Sequence, residues 1–134
     1  MAFLFDASAV TNMIIVRGRK ALTRTNGNFS LDLAGYEIGN AVWRLCLLEK
    51  KISHEEASDL LDSAADFLTM LRRIRFEDLN PGRILEVGLA RRLTFYDASY
   101  LVAAEALELT LVTDDEKLSE AAKGYVPTHR STQV

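Results

Sequence analysis

Short apolar runs alternate with longer helical segments along this chain, and this alternation constrains the fold more than any other feature. The run "AFLF" at 2–5 is continuously apolar, which is typical of a strand covered on both faces in a parallel sheet. A second run, "LTLVT" at 109–113, is rich in β-branched residues, and helical patterns lie between the two. Because parallel strands need crossover connections, the pattern predicts an α/β fold, a three-layer α/β/α sandwich around a central, mainly parallel sheet.

Local signals mark where several helices begin. In "SHEE" at 53–56, Ser53 is suited to cap a helix while Glu56 reaches back, which is a capping box. Asn80 before Pro81 indicates another helix start. Further short strands are predicted at 29–34, 73–79 and 125–128.

Length and composition indicate one domain that spans residues 1–134. The chain has 134 residues, 49% of them hydrophobic, which suits one core without a linker or a repeat. A net charge of −3 means that any contact with nucleic acid needs a local basic patch. One cysteine and two histidines leave no Cys/His zinc spacing. No signal peptide or membrane helix is recognisable, so we expect a cytoplasmic protein with no membrane partner.

Acidic residues follow the predicted strands. Asp6 directly follows the first run, and Asp114 and Asp115 directly follow the second. Ligands bind at the carboxyl ends of parallel strands, so these acids meet if the two strands are neighbours. Glu37 opens a helix and is compatible with the same edge. Asp97 lies in the first turn of the helix before the second run, which runs back toward the opposite edge, so spacing alone leaves its place open.

Each acid taken singly also fits a structural role at a helix start, as an N-cap or as a first-turn charge. As a group, several carboxylates at one place would repel one another and have raised pKa values unless a divalent cation neutralised them. An acidic cluster without histidine or cysteine favours Mg²⁺ or Mn²⁺ over zinc.

These residues give the chain a resemblance to the PIN-domain ribonucleases, specifically to VapC-type toxins. Four blocks, in the family's order, carry the resemblance over nearly the whole chain: "FLFDASAV", "YEIGNAVWR", "LTFYDASYLVAAEAL" and "LTLVTDDEKL". An apolar run that ends in Asp is common, but four such blocks in this order and spacing are specific. The resemblance implies a PIN-like fold and metal-assisted hydrolysis of RNA with Mg²⁺, or alternatively Mn²⁺, as the cofactor.

The resemblance also assigns residues. It implies that the catalytic and metal-binding set is Asp6, Glu37, Asp97 and Asp115. In the family's T-x-D pattern Thr113 is the first element and Asp115 the last, so Asp114 takes the variable middle position as an N-cap or a rim charge. Residues at further family positions, which would orient carboxylates or waters, are Ser8, Asn40 and Thr113. We therefore expect Asp115→Asn to cost far more activity than Asp114→Asn.

The implied partners are RNA, a VapB-like antitoxin that covers the active site, and a second copy of the chain in a homodimer. The basic residues predicted to hold the RNA backbone at the rim are Arg17, Arg19 and Lys20. Two alternatives stay open. A non-catalytic PIN-like module that binds RNA or protein is disfavoured because all four acids are present. A phosphotransfer protein also places an Asp after its first strand, but the phosphatase pattern needs a second Asp where Ser8 stands, and no receiver-type Asp ends a middle strand.

Overall fold

The computed structural model describes residues 1–134 as five strands and six helices. In chain order, the elements are β1 (Phe3–Phe5), α1 (Ala7–Arg17), β2 (Phe29–Leu31), α2 (Ala34–Trp43), α3 (His54–Met70), β3 (Arg72–Ile74), α4 (Pro81–Arg91), α5 (Phe95–Ala106), β4 (Thr110–Val112), α6 (Glu116–Ala122) and β5 (Thr128–His129). A π-helical turn, Arg44–Leu48, follows α2, and 3₁₀ turns occupy Gly18–Arg24, Phe76–Asp78 and Ser131–Gln133. No helix is both long and apolar enough to cross a membrane.

All neighbouring strands of the sheet are parallel, in the order β3-β2-β1-β4-β5. The predicted parallel α/β sandwich is therefore confirmed. The two runs that carry the acids are adjacent, because β1 pairs with β4 and Leu4 lies opposite Leu111. Residues that end these strands consequently meet at one edge of the sheet.

The two faces of the sheet carry separate hydrophobic cores, which produces the three layers. Leu4 and Leu111 pack into the core that is shared with α4, α5 and α6. Phe5 and Val112 point to the other face and pack with α1, α2 and α3. Successive side chains of a strand point to opposite faces, so a continuously apolar run can support both cores at once.

The predicted helix starts at Ser53 and Asn80 are confirmed. Ser53 Oγ accepts from the Glu56 backbone N–H at 3.0 Å, and Glu56 Oε1 accepts from the Ser53 N–H at 3.0 Å. Asn80 Oδ1 accepts from the Arg83 N–H at 3.2 Å, and Pro81 is the first helical residue.

The short strands differ from the predicted bounds where local turns compete with the sheet. β5 begins at Thr128, later than predicted, because the Tyr125 and Val126 amides still bond to the Ala122 carbonyl at the end of α6. β3 ends at Ile74, because the Asp78 carboxylate accepts from the Arg75 N–H and closes a turn.

Candidate active site

Asp6 occupies the junction between β1 and α1 and is almost completely buried, with 5% of its surface exposed. Its backbone N–H extends the sheet by bonding to the Val112 carbonyl at 3.1 Å. Its carboxylate accepts from the Ala9 N–H at 2.9 Å, from the Ser8 hydroxyl at 2.7 Å and from the Thr113 hydroxyl. Burial raises the pKa of Asp6 to about 6, although these three hydrogen bonds favour the charged form. Asp6 is therefore both a helix cap and a candidate site carboxylate.

Asp115 is the N-cap of α6. Its Oδ1 accepts from the Leu118 N–H at 2.9 Å, and its own N–H donates to the Thr113 hydroxyl at 3.1 Å. Thr113 thus links the backbone of Asp115 to the carboxylate of Asp6. The negative charge of Asp115 also raises the pKa of Asp6.

Asp97 reaches the same region, which the spacing of the sequence left open. Its helix α5 does run toward the opposite edge, but Asp97 lies at the start of that helix and not at its end. A helix that precedes a parallel strand runs antiparallel to that strand, so its first turn lies at the strand's carboxyl end. Thr94 caps α5 by accepting from the Asp97 N–H at 3.1 Å. Partial burial raises the pKa of Asp97, and the charge of Asp115 raises it further.

Glu37 is held by a tyrosine that the sequence reasoning missed. Tyr100, only 1% exposed, donates its hydroxyl to Glu37 Oε1 at 2.7 Å. Burial raises the pKa of Glu37 to about 7, while the Tyr100 hydrogen bond opposes this rise. Burial also raises the pKa of Tyr100 well above its ordinary value, so the phenol stays a donor. The available signal was its spacing, since Tyr100 lies three residues after Asp97, about one helical turn along the same face.

A single cleft of about 350 Å³ brings the four acids together. Its lining residues are Asp6, Ala7, Ser8, Thr11, Asn12, Glu37, Ala41, Asp97, Tyr100 and Asp115. The carboxylates face a common space, and no group of three or more His, Cys, Asp or Glu side chains is close enough to hold a metal ion directly. A smaller cavity of about 170 Å³, lined mainly by apolar residues that include Leu31, Ile74 and Phe95, contains none of the four acids. We therefore place the candidate chemistry in the acidic cleft.

Asp114 does not cap α6, so the N-cap prediction for this residue was wrong. Asp115 caps that helix instead, and Asp114 anchors the end of the chain. Its carboxylate accepts from the Ser131 N–H at 2.9 Å, from the Ser131 hydroxyl at 2.5 Å and from Asn12 Nδ2 at 2.8 Å. Partial burial opposes its ionisation, but the hydrogen bonds from Ser131 and Asn12 outweigh burial and lower the pKa of Asp114.

The remaining predicted residues lie outside the acidic cleft. Asn40 is exposed, makes no side-chain hydrogen bond and lines a neighbouring depression with Glu37. Arg17 donates to the Ser131 and Val134 carbonyls at 3.1 and 2.6 Å. Arg19 forms an exposed ion pair, and Lys20 is exposed. Contact of Arg17, Arg19 and Lys20 with RNA remains a prediction.

Comparison with known proteins gives a consistent set of relatives, although no family model matches the chain. Exonuclease VapC9 of Pyrobaculum aerophilum is 38% identical over 96 residues, which cover 72% of this chain and 68% of the relative. Ribonuclease VapC1 of Mycobacterium tuberculosis is 32% identical over 123 residues, 87% of each chain. The crystal structure of PAE2754 from Pyrobaculum aerophilum superposes with a TM-score of 0.79 at 27% identity, over 99% of this chain and 91% of that one.

Proposed function

Because this chain belongs to the VapC family of PIN-domain ribonuclease toxins, we propose that its acidic cleft hydrolyses RNA phosphodiester bonds with the aid of Mg²⁺ or Mn²⁺. The catalytic and metal-binding residues in this proposal are Asp6, Glu37, Asp97 and Asp115. The observation that supports it most is that these four acids, although spread along the chain, line one cleft.

The donor chemistry of the cleft fits a hard divalent cation. Its acidic donors are carboxylate oxygens only, which are the ligands that Mg²⁺ and Mn²⁺ prefer. The carboxylates do not form a direct cage of three ligands. Mg²⁺ does not require one, because it keeps several waters and is typically held by one or two carboxylates. The raised pKa values of Asp6 and Glu37 mark desolvated carboxyls whose negative charge a cation would offset.

A bound cation would supply an activated water and neutralise charge that develops on the phosphate. The protein's own residues orient the carboxylates. Ser8 and Thr113 hold the two oxygens of Asp6, and the Leu118 N–H holds Asp115. Tyr100 occupies Oε1 of Glu37, which favours Oε2 as the oxygen directed to a ligand or a water. Such fixed side chains pre-organise the charge of a site before the substrate arrives.

Membership of this toxin family also supports a proposal for the molecules that the protein binds. We propose RNA as the substrate, a VapB-like antitoxin as the inhibitor that covers the cleft, and a homodimer in the cytoplasm as the working form. A non-catalytic binding module would not require all four carboxylates to share one cleft, so a catalytic function is favoured. A phosphotransfer role is disfavoured because the Asp6 carboxylate is buried and accepts hydrogen bonds on both oxygens.

Cleavage of structured RNA in the presence of Mg²⁺ or Mn²⁺ tests this proposal. Asp6→Asn and Asp97→Asn should each reduce the rate by at least about 100-fold, since each removes a negative charge from the cleft. Asp59→Asn is the matched control, because Asp59 is exposed and makes no ion pair or hydrogen bond through its side chain. Equal activity in the wild type and both cleft variants would refute the nuclease assignment of these residues.

A further inference from the structure

Three cations line one depression that contains no acidic residue. The depression has a volume of about 430 Å³, and its lining residues are Val16, Arg17, Lys20, Thr23 and Arg24. It lies at the end of α1 and in the 3₁₀ turn that follows, outside the acidic cleft. The chain as a whole carries a net charge of −3, so this depression is a local exception to its charge balance.

Two of these cations are free of internal partners. Most of the 16 Lys and Arg residues are engaged, as Arg19 is with Asp66 at 2.8 Å. Lys20 and Arg24 are exposed and donate to no carboxylate or carbonyl. Arg17 is oriented by the Ser131 carbonyl at 3.1 Å and by the Val134 oxygen at 2.6 Å. Neighbouring like charges repel, and an anion with several oxygens, such as a phosphodiester, removes that repulsion.

The basic depression is connected to the acidic cleft along α1. A small depression between them is lined by Asn12, Met13, Val16, Arg17, Ser131 and Thr132. It shares Asn12 with the acidic cleft, and it shares Val16 and Arg17 with the basic depression. The 11 residues of α1 rise about 16 Å, so the two ends of this path are one short helix apart.

We propose that the basic depression binds backbone phosphates of the RNA substrate a few nucleotides away from the scissile bond, so that the strand follows α1. The inference rests on the proposed nuclease function. Without a bound cation the acidic cleft repels RNA, and cations placed beside the cleft add attraction for the strand. Contacts to phosphate carry no sequence information, but they set the register of the strand over the reacting bond.

The test compares two double variants that lose the same charge. Lys20→Gln with Arg24→Gln removes the two free cations of the depression. Lys50→Gln with Arg92→Gln removes two other exposed cations, which line neither the cleft nor the path. Thermal unfolding checks that all variants fold, and glutamine retains most of the length of each side chain.

Binding is measured by fluorescence anisotropy of a labelled single-stranded RNA, with Asp97→Asn present in every protein to prevent cleavage. Loss of Lys20 and Arg24 should raise Kd roughly tenfold. It should also reduce the slope of log K against log salt by about 1.4, because each phosphate contact on a single strand contributes about 0.7. The control pair should change neither quantity. Equal effects of the two pairs on Kd and slope would overturn the proposal.

Substrate length provides a second test, in which Asp97 is intact. For a long RNA, loss of Lys20 and Arg24 should raise KM and leave kcat unchanged. For a dinucleotide, which is too short to follow α1, it should change neither. A lower kcat of the Lys20 and Arg24 double variant on the dinucleotide would overturn the proposal. A double variant that binds RNA as the wild type does but no longer binds an acidic protein partner would also overturn it. RNA binding through these residues without cleavage by the wild type would refute the nuclease function and retain the binding path.

Discussion

Replacement of Asp6 by Asn should abolish cleavage and yet stabilise the metal-free protein at neutral pH. Burial raises the pKa of this carboxyl from 3.8 to about 6 in the folded protein. The native state therefore binds this proton more tightly than the unfolded state does, so the contribution to stability is fully present below pH 3.8, is lost as the pH rises through about 6, and then stays constant. Asn carries no charge and has no such dependence.

The structure sets the size of the effect. A pKa difference from 3.8 to about 6 corresponds to about 3 kcal/mol of unfolding free energy that is lost once Asp6 is fully ionised. The amide oxygen of Asn can accept from the Ala9 N–H and the Ser8 hydroxyl, and its NH₂ can donate to the Thr113 hydroxyl. Weakening of these hydrogen bonds offsets about 1 kcal/mol. We expect a net gain of about 1–2 kcal/mol above pH 7.

Urea unfolding in EDTA, followed across this pH range, measures the effect. In acid, where Asp6 of the wild type is neutral, Asp6→Asn should be about 1 kcal/mol less stable than the wild type because its hydrogen bonds are weaker. As Asp6 ionises, the difference should change sign and reach about 1–2 kcal/mol in favour of the variant at neutral pH. Asp59→Asn, an exposed substitution of the same kind, controls for the general response of carboxylates to pH. Addition of Mg²⁺ at neutral pH should stabilise the wild type more than the variant. A difference that does not change with pH, or a variant less stable than the wild type at neutral pH, would refute the reasoning.

Further predictions follow from the same contacts. Asp115→Asn should reduce RNA cleavage far more than Asp114→Asn; the latter should instead lower the midpoint of thermal unfolding, because it weakens the anchoring of the chain's end. Tyr100→Phe removes a hydrogen bond that lowers the pKa of Glu37. The acid limb of the pH–rate profile should therefore shift upward, with lower activity in mild acid and little change in base. Chelation should abolish cleavage, and Mg²⁺ or Mn²⁺ should restore it; activity that survives exhaustive dialysis against EDTA would contradict the metal assignment. Ser53→Ala should lower the free energy of unfolding in urea by about 1 kcal/mol without changing cleavage, since it removes a helix cap away from the cleft.

The strand-end acids show how far chain order alone can lead. Asp6 and Asp115 follow apolar runs by one or two residues, so their places were determined once the runs became neighbouring parallel strands. Strand adjacency itself depends on how two separate cores cover the sheet, and this was an assumption until the sheet order was known. The capping box at Ser53 needed no such assumption, because its two hydrogen bonds join residues three apart.

The sequence alone separated the roles of the adjacent residues Asp114 and Asp115 only in part. The T-x-D register distinguished Asp115 from Asp114, but it left Asp114 as either the helix cap or a rim charge, and the cap is Asp115. The contacts that decide the role of Asp114 come from Ser131 and Asn12, which are distant in the sequence. A local pattern contains no information about which distant donor will be close enough to compete for a carboxylate.

The sequence by itself determined the α/β class and the helix caps at Ser53 and Asn80, and it singled out the four acids as candidates, because each depends on local hydrophobic patterning, on residues a few positions apart or on motifs in a given order. The tertiary structure decided that Asp97 and Glu37 enter the cleft beside Asp6, that Tyr100 holds Glu37, and that three cations share one depression. Those features depend on helix direction and on side-chain burial across the sheet, since hydrogen bonds and desolvation act over a few ångströms between residues far apart in the chain.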